Sequence, residues 1–279
     1  MKKMLWFSPV LLLWSCNHGS TDALNFKVEY KPDCVYKQTM TEKTHMQVKY
    51  DATPEILEAL KNKGVQNPTE NDDEETVLIN LKTGKLGPQN IYPFTMEYVK
   101  TTGKDSKEEI PDNTLFYGKD TLGRIPVIDS ISTPAKNTLN VLSKRILLQN
   151  VQDLFQKSFE PEKRLKVGEQ FVREYPVDED FGFTKLHMVL TTTYKLVSIA
   201  NNLATFEIKQ VYNLSSTIKD HTFKGEGEGS GKMVYDIADN YYKDYNVNMS
   251  LSMSKDIGGI YADIHTQSNI SILTELVQN

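Results

Sequence analysis

The strongest constraint on the fold of this chain is the regular alternation of apolar and polar residues near its C-terminus. Between residues 245 and 254, tyrosine, valine, methionine and leucine occupy the odd positions, and asparagine and serine fill all the even ones. A similar alternation runs through residues 260–273. Successive side chains of a strand point to opposite faces, so each segment predicts a strand with one apolar face. Together they predict an antiparallel sheet packed on one side.

Similar patterns predict strands and two helices over most of the chain. A strand at 24–30 and a second one ending at Tyr50 are expected to pair as a hairpin. The pair Thr53-Pro54 is typical of a helix start, and Gly64 of its end. Apolar residues at three- and four-residue steps predict a longer amphipathic helix over 138–159, with an apolar face made of Leu139, Leu142, Ile146, Val151, Leu154 and Phe155. The other predicted strands cover residues 76–80, 91–99, 115–117, 125–131, 188–199, 204–214 and 232–237, whereas the polar stretch 66–75 predicts a solvated loop.

These elements predict a mainly β protein of the α+β class. We expect antiparallel curved sheets or half-barrels in two β-rich halves, with one long and one short amphipathic helix. The N-terminal half covers residues 24–159 and ends in the long helix, and the C-terminal half covers 160–279. Residues 16–23 form a tether, and residues 1–15 are expected to be a signal peptide.

The N-terminal segment reads as a secretory signal. Lys2 and Lys3 provide a positive start, and residues 5–14 are an apolar run followed by Ser15. A helix of roughly ten residues spans about 15 Å, which is half of the ~30 Å hydrocarbon core, so the run is too short to cross a bilayer. We therefore expect the segment to be removed rather than folded.

The end of this segment, Leu13-Trp14-Ser15-Cys16, resembles the lipobox of bacterial lipoproteins. The resemblance implies that the Cys16 thiol receives a diacylglyceryl group, that cleavage falls before it, and that fatty acids such as palmitate fasten the mature chain to a membrane. Several acyl chains on one residue give stable attachment. Asn17 follows instead of the aspartate that favours inner-membrane retention in such proteins, so the expected location is the cell envelope, at the outer membrane and facing the periplasm.

Further along the chain, the order of elements resembles a family of uncharacterised lipoproteins of the Bacteroidetes type. The resemblance is carried by the turn Tyr-Gly-Lys-Asp-Thr-Leu-Gly at 117–123, by the long helix, and by the segment Val-Gly-Glu-Gln-Phe at 167–171. In that segment Glu169 stands where the family has aspartate, and Phe171 where it has a different aromatic residue. The resemblance implies an envelope location and a β-rich fold, and it brings no known reaction.

Composition excludes several functional classes. Hydrophobic residues at 39% and charged residues at 25% are globular values. A net charge of −5 without a basic patch gives no reason to expect a nucleic-acid partner. Once Cys16 is acylated, Cys34 is the remaining thiol, and we interpret it as a small buried hydrophobic residue. The five histidines are scattered without metal-ligand spacing, so no metal site and no cofactor are predicted.

The run Gly225-Glu-Gly-Glu-Gly-Ser-Gly231 is the most conspicuous candidate for chemistry. Its glycines fit neither a dinucleotide-binding nor a phosphate-binding loop. In an extended chain, Glu226 and Glu228 would lie about 6.7 Å apart on one face, within the range of an inverting glycosidase pair. The alternative is a strand edge or barrel corner where glycine permits close approach of the backbone. We favour the strand edge or barrel corner, and we predict no catalytic residues.

The apolar strand faces support a binding function. A curved sheet with one apolar face either fills itself or encloses a ligand cavity. Met249, Leu251, Met253 and Ile264 are therefore the candidate ligand-binding residues, since methionine adapts to irregular ligands. The expectation is a non-enzymatic, lipid-anchored envelope protein that binds a hydrophobic small molecule in a half-barrel cavity. The alternatives are a module that binds an envelope protein, and a carbohydrate-active hydrolase.

Overall fold

A computed structural model describes residues 23–103, 110–135, 139–158, 162–180, 185–218, 221–256 and 259–278. Cys16 and the signal segment lie outside these residues. In chain order the elements are β1 (Ala23–Phe26), β2 (Cys34–Asp51), α1 (Pro54–Asn62), β3 (Thr69–Thr83), β4 (Ile91–Gly103), β5 (Thr114–Thr121), β6 (Val127–Ser132), α2 (Val141–Ser158), β7 (Lys163–Lys166), β8 (Gln170–Asp180), β9 (Lys185–Ala200), β10 (Leu203–Ile218), β11 (His221–Asp236), β12 (Tyr241–Asp256) and β13 (Tyr261–Gln278).

Eleven strands form one antiparallel sheet in the order β6-β5-β4-β3-β2-β13-β12-β11-β10-β9-β8. Its centre is the pairing of β2 with β13, which runs from Cys34 opposite Gln278 to Asp51 opposite Tyr261. Strands β2–β6 precede α2 and strands β8–β13 follow it, so the sheet is continuous across the two β-rich halves. The prediction of a mainly β, antiparallel α+β fold is confirmed.

The predicted hairpin between the first two strands is wrong. β1 pairs with β7 in a separate two-stranded sheet, with Ala23 opposite Lys166 and Phe26 opposite Lys163. The reason is burial: Phe26 is fully buried, with its ring 5.2 Å from that of Phe206 and 5.0 Å from that of Tyr235. Pairing with β7 lets β1 cover a core that a hairpin with β2 would leave open.

The predicted loop at 66–75 is also wrong from Thr69 onward, because β3 begins there. This polar segment pairs with the far half of β2, and polar partners lie opposite one another across the two strands. His45 Nδ1 is 2.8 Å from Asp72 Oδ1, and Lys43 Nζ is 3.1 Å from Glu74 Oε1. The segment is therefore a strand because β2 supplies its pairing and its cross-strand partners, not because it carries an apolar face.

Two core clusters lie on one side of the sheet, which we call the inner face. The first packs β1 and β7 against β9–β12 through Leu24, Phe26, Leu165, Leu196, Ala204, Phe206, Ile208, Met233, Tyr235 and Val247. The second packs α2 against β2–β6 and the start of β12 through Cys34, Tyr36, Leu81, Phe94, Met96, Phe116, Ile128, Val151, Phe155 and Tyr241. Most of these residues lie in the half of the strands next to Cys34 and Tyr241, so the covering elements protect that half.

The long helix packs through a face different from the predicted one. Val151 and Phe155 are buried as expected, whereas Leu142, Ile146 and Leu154 are 67%, 51% and 56% exposed. Gln152 explains part of the orientation, since its Oε1 accepts from the Ile128 amide at 2.9 Å and its Nε2 donates to the Pro126 carbonyl at 3.0 Å. One side chain thereby satisfies main-chain groups in the edge strand β6 and just before it.

The short helix begins and ends as predicted. Thr53 is its N-cap residue, Pro54 is its first residue, and Gly64 has a φ of +80° just after it. Across the part of the chain that the structure describes, no helix combines the length and the apolar composition needed to traverse a bilayer.

Candidate binding face

All four predicted ligand-binding residues lie on the inner face. Met249, Leu251 and Met253 occupy alternate positions of β12, and Ile264 of β13 lies directly opposite Met253. Their shared face is a consequence of the alternation, which holds through both strands. The four residues differ in their surroundings. Met249 packs against the first core cluster, whereas Leu251, Met253 and Ile264 belong to neither cluster.

The apolar surface formed by Leu251, Met253 and Ile264 extends onto β2. Val48 lies opposite Ile264, and Met46 lies opposite Thr266, which itself faces Leu251. We call Met46, Val48, Leu251, Met253 and Ile264 the distal patch. All five side chains are half-buried. Among the described residues they lie in the half of the sheet away from α2, β1 and β7, which explains why they stay partly accessible to solvent.

A belt of polar side chains separates the distal patch from the packed core. Thr192, Gln210 and Ser268 are only 1%, 6% and 8% exposed, although each carries a polar group. Ser268 Oγ is 2.9 Å from Thr44 Oγ1. Gln210 Nε2 donates to Thr192 Oγ1 at 3.4 Å and to the Tyr245 hydroxyl at 3.3 Å. These buried polar groups therefore have hydrogen-bond partners, as buried groups in folded proteins generally do.

Tyr212 joins the belt to Met249. Its hydroxyl donates to Gln210 Oε1 at 2.7 Å and lies 2.6 Å from Met249 Sδ. Burial raises the pKa of Tyr212, and the nearby Tyr245 and Glu42 raise it further, so the phenol stays protonated and remains a donor. Met249 is therefore held by a buried tyrosine, at the boundary of the distal patch.

The glycine run makes this contact possible. Gly225, Gly227, Gly229 and Gly231 lie on the inner face of β11, between β10 and β12. A side chain there would meet its neighbours: a Cβ at Gly229 would lie 2.9 Å from Gln210 Oε1, and one at Gly231 only 2.0 Å from the Asn246 carbonyl oxygen. The glycine run therefore lies in an interior strand, where the main chains of β11 and β12 approach each other closely, and not at a sheet edge.

The two glutamates of that run point away from the inner face. Glu226 and Glu228 alternate with the inward-facing glycines, and both are exposed. A glycosidase pair needs carboxylates that converge in a shaped cleft. Glu228 borders a groove on that face and Glu226 does not, so the two carboxylates do not converge in one cleft.

The cysteine and the histidines considered as candidates for chemistry are not assembled into a metal-binding group among the described residues. Cys34 is a free cysteine, 5% exposed, and burial raises the pKa of its thiol. His45 pairs with Asp72, and His265 Nδ1 lies 3.0 Å from Ser252 Oγ. Among the residues that the structure describes, no group of three histidine, cysteine, aspartate or glutamate side chains is placed to hold a metal ion.

Sequence reasoning missed a groove on the opposite side of the sheet, which we call the outer face. It has a volume of about 1110 Å³. It is lined by two cross-strand rows of outward side chains. The first row is Lys209, Ser230, Asn248, Asn269, Lys43 and Glu74, and the second is Val211, Glu228, Ser250, Gln267, His45 and Asp72. Between these two rows lies a third row of residues, including buried Gln210 and Ser268, whose side chains point to the inner face. The main chain of this third row forms the floor of the groove.

Comparison of the chain with protein-family models and with curated proteins found no match. Relatives therefore add no evidence about activity.

Proposed function

We propose that this is a lipid-anchored protein of the cell envelope that binds a hydrophobic molecule at the distal patch and catalyses no reaction. The anchor is Cys16, and the expected site of attachment is the outer membrane on its periplasmic side. The observation that carries the proposal is the half-buried state of Leu251, Met253 and Ile264 beside Met46 and Val48. A contiguous apolar surface that the described parts of the fold leave partly exposed favours a ligand.

The chemistry of the patch favours an acyl-like or other flexible apolar ligand. Two of its five side chains are methionines, which adjust their three rotatable bonds to irregular partners. The polar belt limits how deep such a molecule reaches, because Ser268 and Gln210 occupy the inner face beyond the patch. The ligand would consequently lie along the distal half of β2, β12 and β13 instead of in a closed barrel.

A matched pair of substitutions on β2 tests this proposal. Val48 belongs to the patch, and its neighbour Lys49 is exposed on the outer face. Val48→Trp should cover the patch and weaken binding of the uncharged probe N-phenyl-1-naphthylamine about tenfold, which corresponds to about 1.4 kcal/mol. Lys49→Trp should leave the binding unchanged. Equal affinities of the two variants, or no probe binding to the unmodified protein, would contradict the proposal.

A second candidate function is a module that binds another envelope protein. The outward apolar side chains of α2 favour it, since Val141, Leu142 and Ile146 are 86%, 67% and 51% exposed. Native mass spectrometry of the protein purified from its own envelope separates the two functions. Co-purifying lipid supports the ligand carrier, whereas a stoichiometric protein partner without lipid supports the module.

A further inference from the structure

The outer groove has a character opposite to that of the distal patch. Its central side chains are the amides Asn248, Asn269 and Gln267 and the hydroxyls Ser230 and Ser250. Each amide offers donors and acceptors, and each hydroxyl offers both. Val211 is the one outward apolar side chain in the two rows, and among the residues that the structure describes, no aromatic ring lines the groove. The central side chains of the groove can therefore form hydrogen bonds with an occupant.

The amides are organised across strands. Asn269 Nδ2 donates to Asn248 Oδ1 at 2.9 Å and to Asn246 Oδ1 at 3.3 Å. These bonds fix the planes of three amides side by side on β12 and β13. An orientation fixed before binding lowers the entropy cost of each hydrogen bond to a ligand.

Charges are confined to the ends of the groove, where both signs occur. At the β2–β3 end, Lys43 pairs with Glu74 and His45 pairs with Asp72, and at the β10–β11 end lie Lys209 and Glu228. A polyanion would meet carboxylates at both ends, and a polycation would meet lysines at both ends. The electrostatics thus favour an uncharged occupant.

The dimensions favour an extended occupant. The two rows cross six strands, and five spacings of about 4.8 Å give a length of about 24 Å. A protein partner would be expected to insert aromatic or aliphatic anchors into apolar pockets, which the lining of this groove does not offer. A chain of sugars presents hydroxyl groups along its whole length, and amide and hydroxyl side chains can exchange hydrogen bonds with each of them.

We propose that the outer groove, centred on Asn248, Asn269 and Gln267, is a second binding site and that it takes an uncharged oligosaccharide. The site is separate from the distal patch, because its side chains point to the opposite face of the same strands. The proposal of an oligosaccharide site does not depend on the proposal that the distal patch binds a hydrophobic ligand.

Titration calorimetry with maltohexaose, cellohexaose and chitohexaose as probes tests the proposal. The unmodified protein should bind at least one probe saturably, and the double variant Asn248→Ala, Asn269→Ala should weaken that binding about tenfold or more. Ser250→Trp should block the groove. Ser198→Trp, which replaces an exposed serine of β9 outside the groove, is the matched control and should bind as the unmodified protein does.

Three outcomes would overturn the assignment. The first is that none of the three probes binds. The second is that Ser250→Trp binds as tightly as Ser198→Trp does. The third is saturable binding of an extended decapeptide without binding of any oligosaccharide, which would assign the groove to a protein partner. Binding of N-phenyl-1-naphthylamine should be the same in Ser250→Trp and the unmodified protein, so failure of this site is distinguishable from failure of the distal patch.

Discussion

The hydroxyl of Tyr212 on β10 lies 2.6 Å from the sulfur of Met249 on β12, although β11 runs between the two strands. The contact crosses the inner face above Gly227 and Gly229, which carry no side chains there. Glycine is unfavourable within strands because it loses more conformational entropy than other residues and offers no side chain to pack. Here that loss is offset by a tyrosine that spans the strand and completes the polar belt.

Gly231→Ala should destabilise the protein by about 2 kcal/mol or more, because the new methyl group would lie 2.0 Å from a main-chain oxygen of β12. Gly229→Ala is the matched control. Its closest obstacle is the end of the flexible Gln210 side chain at 2.9 Å, so it should cost less. Urea unfolding of both variants measures the difference. Equal stability of the two would show that close backbone approach is not what requires glycine at 231.

Two adjacent residues of α2 should differ sharply in their contribution to stability. Phe155 is 5% exposed, and its ring lies 5.3 Å from that of Phe94, whereas Leu154 is 56% exposed. Phe155→Ala should lower the free energy of unfolding by about 3 kcal/mol or more, and Leu154→Ala by less than about 0.5 kcal/mol. Thermal unfolding followed by circular dichroism checks both values. A large loss in Leu154→Ala would mean that its side chain is covered in solution.

Asp120 should make stability fall as the pH rises. It is 2% exposed, and its Oδ2 accepts from the Tyr92 hydroxyl, while its buried Oδ1 has no hydrogen-bond partner among the described residues. Burial raises the pKa of Asp120 from 3.8 to about 6. The folded protein therefore holds the proton more tightly than the unfolded chain. The carboxyl contributes most below about pH 4, and up to about 3 kcal/mol is lost as the pH rises to about 6.

Asp120→Asn removes this ionisation. Relative to the unmodified protein, the variant should gain stability progressively as the pH is raised from about 4 to about 6 and keep that gain above it. Urea unfolding at a series of pH values measures the difference. Asp129→Asn, at an exposed position of β6, is the control and should leave the pH profile unchanged. A difference between Asp120→Asn and the unmodified protein that does not vary with pH would contradict the prediction.

The proposed anchor gives a prediction about location. Cys16→Ser should abolish acylation, so the variant should be found in the soluble fraction and its precursor should no longer be processed before residue 16. Cys34→Ala removes the other thiol and should still sediment with membranes, because Cys34 is buried in the second core cluster. Fractionation with mass measurement of the mature N-terminus checks both. Membrane sedimentation of Cys16→Ser would contradict lipid anchoring.

Local patterns in the sequence were sufficient to predict many elements of the fold but not their partners. Alternation predicted β12 and β13, and Thr53-Pro54 predicted the start of α1, because these signals act over a few residues. The pairing of β1 with β7 depends on a core that residues far along the chain build around Phe26. The strand at 69–75 depends likewise on β2, since its own residues have no apolar face.

The candidate site was predictable only in part. Alternation placed Met249, Leu251, Met253 and Ile264 on one face. It gave no information on where the covering elements end, and for this reason Met249 differs from the other three. The outer groove has no sequence signature, because it results from residues of six strands that come together only in register.

The pairing of β2 with β13 has a consequence for the order of assembly. Protein synthesis proceeds from the N-terminus, so β2 is made among the first strands and β13 is the last. One long edge of β2 therefore stays unpaired until β13 has been made, and an unpaired edge readily captures strands from other molecules. Newly made chains should be most prone to aggregate when they contain every strand except the eighteen residues of β13, Tyr261–Gln278.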